Sequence, residues 1–165
     1  MSFQITKKTQ FLAFLMSCVL IISQVETIVS INWSILGKVG EYKVLKYYGI
    51  LIVIVLLSTL IHELIHGLVY KSFGGNFVIG VKGMCAYTKE TTGIELTVSQ
   101  FAVVLLAPVT LISTISLFIP VVGSLVFFVN LLGSTGDFVV MLWLMKIKKD
   151  SFVVDRDDCF YVKAS

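Results

Sequence analysis

An all-α membrane protein of about four transmembrane helices, with a short β-hairpin between the second and third, is the fold this sequence predicts. Three observations carry that expectation. Hydrophobic residues make up 57% of the 165 residues, and mean hydropathy is +0.96. Charged residues are only 14%, against about 25% in soluble domains. Four apolar stretches, residues 11–30, 49–70, 101–118 and 121–144, each approach the roughly 20 residues that a spanning helix needs. They use most of the length, so residues 1–165 read as a single membrane domain with no room for a separate soluble module.

The first stretch follows Lys7 and Lys8. Its basic start, apolar residues 11–22 and small Ser30 share features with a signal peptide. A retained anchor is favoured, because apolar residues resume through Ile35 and Trp33 suits a membrane interface. The second stretch ends at Gly74-Gly75, a helix stop. The one substantial loop, residues 76–100, comes next. Residues 77–81 and 84–88 are strand-like runs around Lys82-Gly83 and read as a hairpin, and residues 94–96 read as a third extended piece. Thr97 with Gln100 three residues on is a capping-box pattern that opens the third helix. The third and fourth stretches meet at Pro120 and Gly123 with no charge between them, which predicts a tight helical hairpin.

The basic residues set the expected orientation. With the N-terminus inside, the inner segments hold Lys7, Lys8, Lys71, Lys82, Lys89, Lys146, Lys148, Lys149, Arg156 and Lys163, and the outer ones only Lys38, Lys43 and Lys46. The positive-inside rule then puts both termini and the hairpin in the cytoplasm of a multi-pass cell-membrane protein. The net charge of +3 is spread over loops and ends, so the partner is the lipid bilayer and not nucleic acid. Cys18, Cys85 and Cys159 have no CxxC spacing and form neither a disulfide framework nor a thiolate metal site.

Both histidines of the chain fall in one pentapeptide, His62-Glu63-Leu64-Ile65-His66, inside the second stretch. Residues at i and i+4 share a helix face, so His62 and His66 can place two imidazole nitrogens on one zinc ion. Glu63 projects beside them, where it can take a proton from water. A catalytic zinc site needs a third protein ligand. Glu90 and Glu95 lie on the flexible loop and are the poorer candidates. Asp137 is the one carboxylate of the fourth stretch, with no basic residue in that stretch to pair with it. Counted from residues 49 and 121 at 1.5 Å per residue, His62, His66 and Asp137 lie about 20, 26 and 24 Å deep, near one level. Zinc with ionised Glu63 and Asp137 would be electrically neutral, which reduces the cost of a low dielectric.

Asn130, Ser134 and Asp137 share one face of the fourth helix, with Gly133 and Gly136 flanking it as sites of close helix approach. Interhelical hydrogen bonding accounts for Asn130 and Ser134 about as well as a substrate-binding role, in which Asn130 holds a substrate backbone or an oxyanion. Pro108 removes one hydrogen bond from the third helix. It is equally an ordinary tolerated proline or part of a cleft.

An HExxH in an apolar helix with a later aspartate in another resembles the site-2 protease group of intramembrane zinc metalloproteases. More closely, His62-Glu-Leu-Ile-His-Gly67, a short extended loop and Asn130-Leu-Leu-Gly-Ser-Thr-Gly-Asp137 resemble the small bacterial putative zincin peptidase family. That resemblance implies His62, His66 and Asp137 as ligands of one zinc per chain, Glu63 as base, and loop strands that present an extended substrate. The Leu-Asp-Gly segment typical of the site-2 group is absent. The expected function is zinc-dependent hydrolysis of peptide bonds in or next to the membrane, acting on a membrane protein or peptide. A non-catalytic membrane zinc-binding protein is the alternative; Glu63 favours the enzyme, because metal storage needs no base.

Overall fold

The computed structural model describes residues 2–4, 6–36, 44–82, 85–120, 122–156 and 159–163. The basic loop residues Lys38 and Lys43, Gly83 of the expected turn and Val121 lie outside them. Among the described residues six helices follow in order: α1 (Lys7–Ser23), α2 (Val25–Leu36), α3 (Val44–Ser72), α4 (Val98–Ser116), α5 (Val122–Gly133) and α6 (Thr135–Leu144). Six strands accompany them: β1 (Ser2–Gln4), β2 (Phe77–Lys82), β3 (Cys85–Glu90), β4 (Leu96–Thr97), β5 (Phe152–Arg156) and β6 (Cys159–Lys163).

Two helices, Leu45–Ser72 and Val98–Ser116, are each long and apolar enough to cross a membrane. A third candidate is the pair α5 and α6, bent by 48° at Ser134. The sequence predicts one fourth helix over residues 121–144, and the bend has a local cause. Ser134 turns its hydroxyl back to the Asn130 carbonyl at 2.9 Å, and Thr135 does the same to Leu132 at 2.9 Å. Such side-chain bonds back to helix carbonyls bend a helix, here beside Gly133 and Gly136, although the Ser134 N–H keeps its own bond to the Asn130 carbonyl at 2.9 Å. The expected first span, residues 11–30, is likewise divided, at Gln24, into α1 of 17 residues and the start of α2.

The helix ends follow the signals in the sequence. Gly74 takes φ +90°, and Gly75 N–H closes on the Tyr70 carbonyl at 3.0 Å, which stops α3. The Thr97–Gln100 capping box forms and opens α4. Between α4 and α5, a Cβ added to Gly123 would lie 2.0 Å from the Ser116 carbonyl oxygen, so the close turn requires glycine there.

The β-structure exceeds the expected hairpin, and an all-α description is corrected accordingly. β2 and β3 pair antiparallel between α3 and α4, from Phe77 with Glu90 to Lys82 with Cys85. A second, four-stranded antiparallel sheet has the order β1-β6-β5-β4 and joins the two ends of the chain. Its pairs include Phe3 with Phe160, Val153 with Val162 and Leu96 with Val153. No strand is expected from the sequence beyond residue 144, a stretch that carries Asp150, Asp155, Arg156, Asp157 and Asp158. Yet Phe152-Val153-Val154 and Cys159-Phe160-Tyr161-Val162 are β-branched and aromatic runs on either side of an Asp-Asp pair, which is hairpin chemistry. The sheet closes the core at one end of the helices. Tyr70, Leu96, Phe101, Val104, Leu105, Val140, Leu144 and Val153 pack as one cluster, with Phe3 and Phe160 stacked against it.

Asp155 ties this sheet to α3 and to the hairpin. Its buried Oδ2 accepts from the Tyr70 hydroxyl at 3.1 Å and from the Glu90 N–H at 3.2 Å. Burial pushes the Asp155 carboxyl up to about 6 and the Glu90 charge adds to this; the two hydrogen bonds and the Lys89 charge oppose it. A folded-state value above the ordinary 3.8 means that the folded protein binds the proton more tightly, so stability declines as pH rises from 3.8 through about 6. Asp155→Asn keeps an acceptor for Tyr70 and Glu90 and should flatten that decline, by up to about 3 kcal/mol across the window. Thermal unfolding in detergent at several pH values checks this; parallel curves for the two proteins would refute it.

Candidate metal centre

The site is built on α3, where the i, i+4 spacing sets the His62 and His66 rings 4.8 Å apart between centroids. Both side chains are buried. Each ring is oriented through its Nδ1. His66 Nδ1 lies 2.8 Å from the Val104 carbonyl oxygen of α4. A carbonyl only accepts, so this nitrogen carries the proton. His62 Nδ1 lies 2.9 Å from Asn130 Oδ1 of α5, while the Asn130 amide nitrogen faces the Val109 carbonyl and Ser113 Oγ at 3.5 Å each. That arrangement makes Oδ1 the acceptor and His62 Nδ1 the donor.

Both Nε2 lone pairs therefore point inward, and Asp137 meets them. The 48° bend at Ser134 starts α6 afresh and places Asp137 in its first turn. The Nε2 atoms are 3.2 Å apart, and Asp137 Oδ2 lies 3.2 Å from that of His62 and 3.5 Å from that of His66. Ligands about 2.0–2.1 Å from a tetrahedral zinc are separated by about 3.3 Å. The triangle thus has the dimensions of three corners of a zinc site. Its chemistry agrees: three acceptors converge on one point, where a metal ion would satisfy all three at once. His62, His66 and Asp137 could hold a metal ion.

Glu63 lies buried next to His62 in the chain and is held from the hairpin. Thr88 Oγ1 of β3 is 2.8 Å from Glu63 Oε2 and 2.7 Å from the Glu63 carbonyl oxygen. The hydroxyl has one hydrogen and can serve one acceptor at a time. The hairpin is seated by Gly67, where an added Cβ would meet the Phe77 ring at 2.2 Å.

The other candidates fall elsewhere. Asn130 and Ser134 are buried: Asn130 Oδ1 faces His62 and its amide nitrogen faces α4, while the Ser134 hydroxyl bonds back to the Asn130 carbonyl. Gly133 and Gly136 are not close-approach sites, because an added Cβ meets nothing within 4 Å at either. Glu90 lies apart from the triangle. Burial opposes its charge, but hydrogen bonds from Thr92 and from the backbone at Thr92, Gly93 and Asn76 hold its carboxyl below the usual range. Glu95 is exposed and pairs with Lys163. Thr88 and the Val104 carbonyl escaped sequence reasoning. A lone threonine on a strand carries no motif, and a backbone acceptor has no residue signature.

A helical protein with candidate membrane spans, carrying a His-His-Asp group that could hold a metal beside a buried glutamate, is the class that fold and site define. The chain belongs to the putative zincin peptidase family, whose model matches residues 54–152, more than half of it. The family places it among zinc metallopeptidases and implies zinc as the metal. No curated protein and no solved structure matches the chain.

Because Asn130 fixes the tautomer of His62, Asn130→Ala should weaken zinc binding by about 10–100-fold. Chelator competition measures this. A residue that only contacts substrate would leave zinc affinity unchanged.

Proposed function

We propose that the chain is a zinc-dependent, membrane-embedded endopeptidase that resembles site-2 proteases and cleaves a membrane protein or peptide in or next to the bilayer. His62, His66 and Asp137 hold one zinc per chain, and Glu63 is the catalytic base. The observation that carries this is the triangle of two outward-tethered imidazoles and one carboxylate, closed to zinc dimensions beside a buried glutamate.

Zinc, when bound, supplies Lewis acidity to the substrate carbonyl and to water. Glu63 takes the proton of the attacking water and delivers it to the leaving amine. Thr88 holds the Glu63 carboxylate in place; turning its hydroxyl to the Glu63 carbonyl would free that oxygen for the proton. The bilayer helices exclude bulk water, so Asp137 and Glu63 together balance the charge of the metal. An extended substrate finds backbone partners at the two-stranded ribbon of β2 and β3, which pair only with each other among the described strands.

The position of the centre supports work near one membrane face. His66 is six residues from the end of α3 and Val104 six from the start of α4, about 9 Å in each case. Both measures run from the end that carries the sheets. The basic-residue bias makes that end cytoplasmic, with both termini on the same side.

Glu63→Gln should keep its zinc by elemental analysis and lose at least about 100-fold in hydrolysis, since glutamine cannot act as base. Membranes containing wild-type and Glu63→Gln protein should differ by a peptide fragment made only by the former. Zinc in both with no such difference would leave a non-catalytic zinc protein. For topology, cysteines at Thr91 and Arg156 should label only after permeabilisation, and one at Leu117 from outside; outside labelling at Thr91 reverses the orientation.

A further inference from the structure

Pro108 lies within α4, which stays helical around it, and its side chain is almost fully buried. Proline has no N–H. The carbonyl four residues earlier in a helix is therefore left without its regular donor. In α4 that carbonyl belongs to Val104, and it is the one that His66 Nδ1 approaches at 2.8 Å. We infer that Pro108 is a positioning residue of the metal centre: it frees the Val104 carbonyl to accept the Nδ1–H of His66, and so fixes the tautomer in which Nε2 faces the metal. This rests on the zinc-centre proposal.

Two needs are met by one bond. An unpaired carbonyl in an apolar helix bundle is costly, and transmembrane prolines persist where some neighbour satisfies the freed group. A ligand histidine likewise needs an acceptor for its second nitrogen, to set its rotamer and keep the ligating lone pair free. With an N–H at position 108, the Val104 carbonyl would sit in the helical ladder, and His66 would share that oxygen instead of having it alone, as the Ser134 hydroxyl shares the Asn130 carbonyl with the Ser134 N–H. His62 is served differently, by the Asn130 side chain at 2.9 Å. The two ligands of one HExxH motif are thus oriented by unlike devices, one a side-chain amide and one a carbonyl released by proline.

The test separates the missing N–H from the ring. Pro108→Ala restores the N–H. Lactic acid at position 108, introduced by nonsense suppression, removes the ring and still has no N–H. The first readout is zinc affinity by chelator competition. The second is the protonated nitrogen of His66 by 15N NMR in metal-free protein. Wild type and the lactic-acid variant should hold zinc within about 3-fold of each other, with the His66 proton on Nδ1. Pro108→Ala should bind zinc about 10–100-fold more weakly and show mixed His66 tautomers. Folded Pro108→Ala with unchanged affinity and tautomer would overturn the inference. If Pro108→Ala does not fold, the other two proteins decide. A metal-free wild type with the His66 proton on Nε2 overturns it, as does a folded lactic-acid variant whose His66 has lost its Nδ1–H. Should wild type bind no zinc, the zinc proposal fails and the metal-positioning role of Pro108 with it; an Nδ1 proton on His66 in wild type against mixed tautomers in Pro108→Ala would then still show that Pro108 sets the His66 tautomer.

Discussion

Three acceptor atoms in an apolar bundle converge within 3.2–3.5 Å of one another, and the rest of the structure is arranged around that convergence. Without a cation, the Nε2 atoms of His62 and His66 and the Asp137 carboxylate repel one another, and burial makes the repulsion stronger. They are held together by groups pulling from behind: Asn130 on His62, Val104 on His66, and the bend at Ser134 on Asp137. Each comes from a different helix segment, so α3, α4, α5 and α6 must all be in place before the triangle closes. Packing supplies the rest, since glycine at Gly123 permits the α4–α5 turn and glycine at Gly67 admits the Phe77 ring.

How far the site was legible depended on the kind of signal each residue leaves. His62, Glu63 and His66 stand out because a 3.6-residue period turns a five-residue string into one face. Asp137 stood out by scarcity, as an unpaired carboxylate in an apolar stretch. Asn130 was visible for the same reason, but whether it faces substrate or a ligand depends on a helix packing that the string does not encode. Pro108 was visible too; its consequence lies four residues upstream, on a backbone atom. Thr88 left no trace, because its reach to Glu63 depends on how the hairpin sits on α3.

The fold was legible where apolar runs were long and illegible where they were short. α3 and α4 follow from length and hydropathy alone. The four-stranded sheet does not, because five-residue strands amid charged residues look like a solvated tail, and their pairing joins segments far apart in sequence. Asp155 shows the difficulty. Read alone it is a surface carboxylate, whereas in the fold it is buried and shared between Tyr70 and Glu90.

The pairing of Phe3 with Phe160 also constrains the order of events during synthesis. Strand β1 is synthesised before the described helices, and its partner β6 after them. Contacts at such separation close late, because the loop entropy is spent before any bond compensates it. β4 likewise waits for β5. β1 can therefore pair only after every helix between it and β6 has been made, and a chain arrested short of β6 would leave β1 without its partner. At three residues, β1 is short enough for its edge to be a weak template for aggregation while it waits.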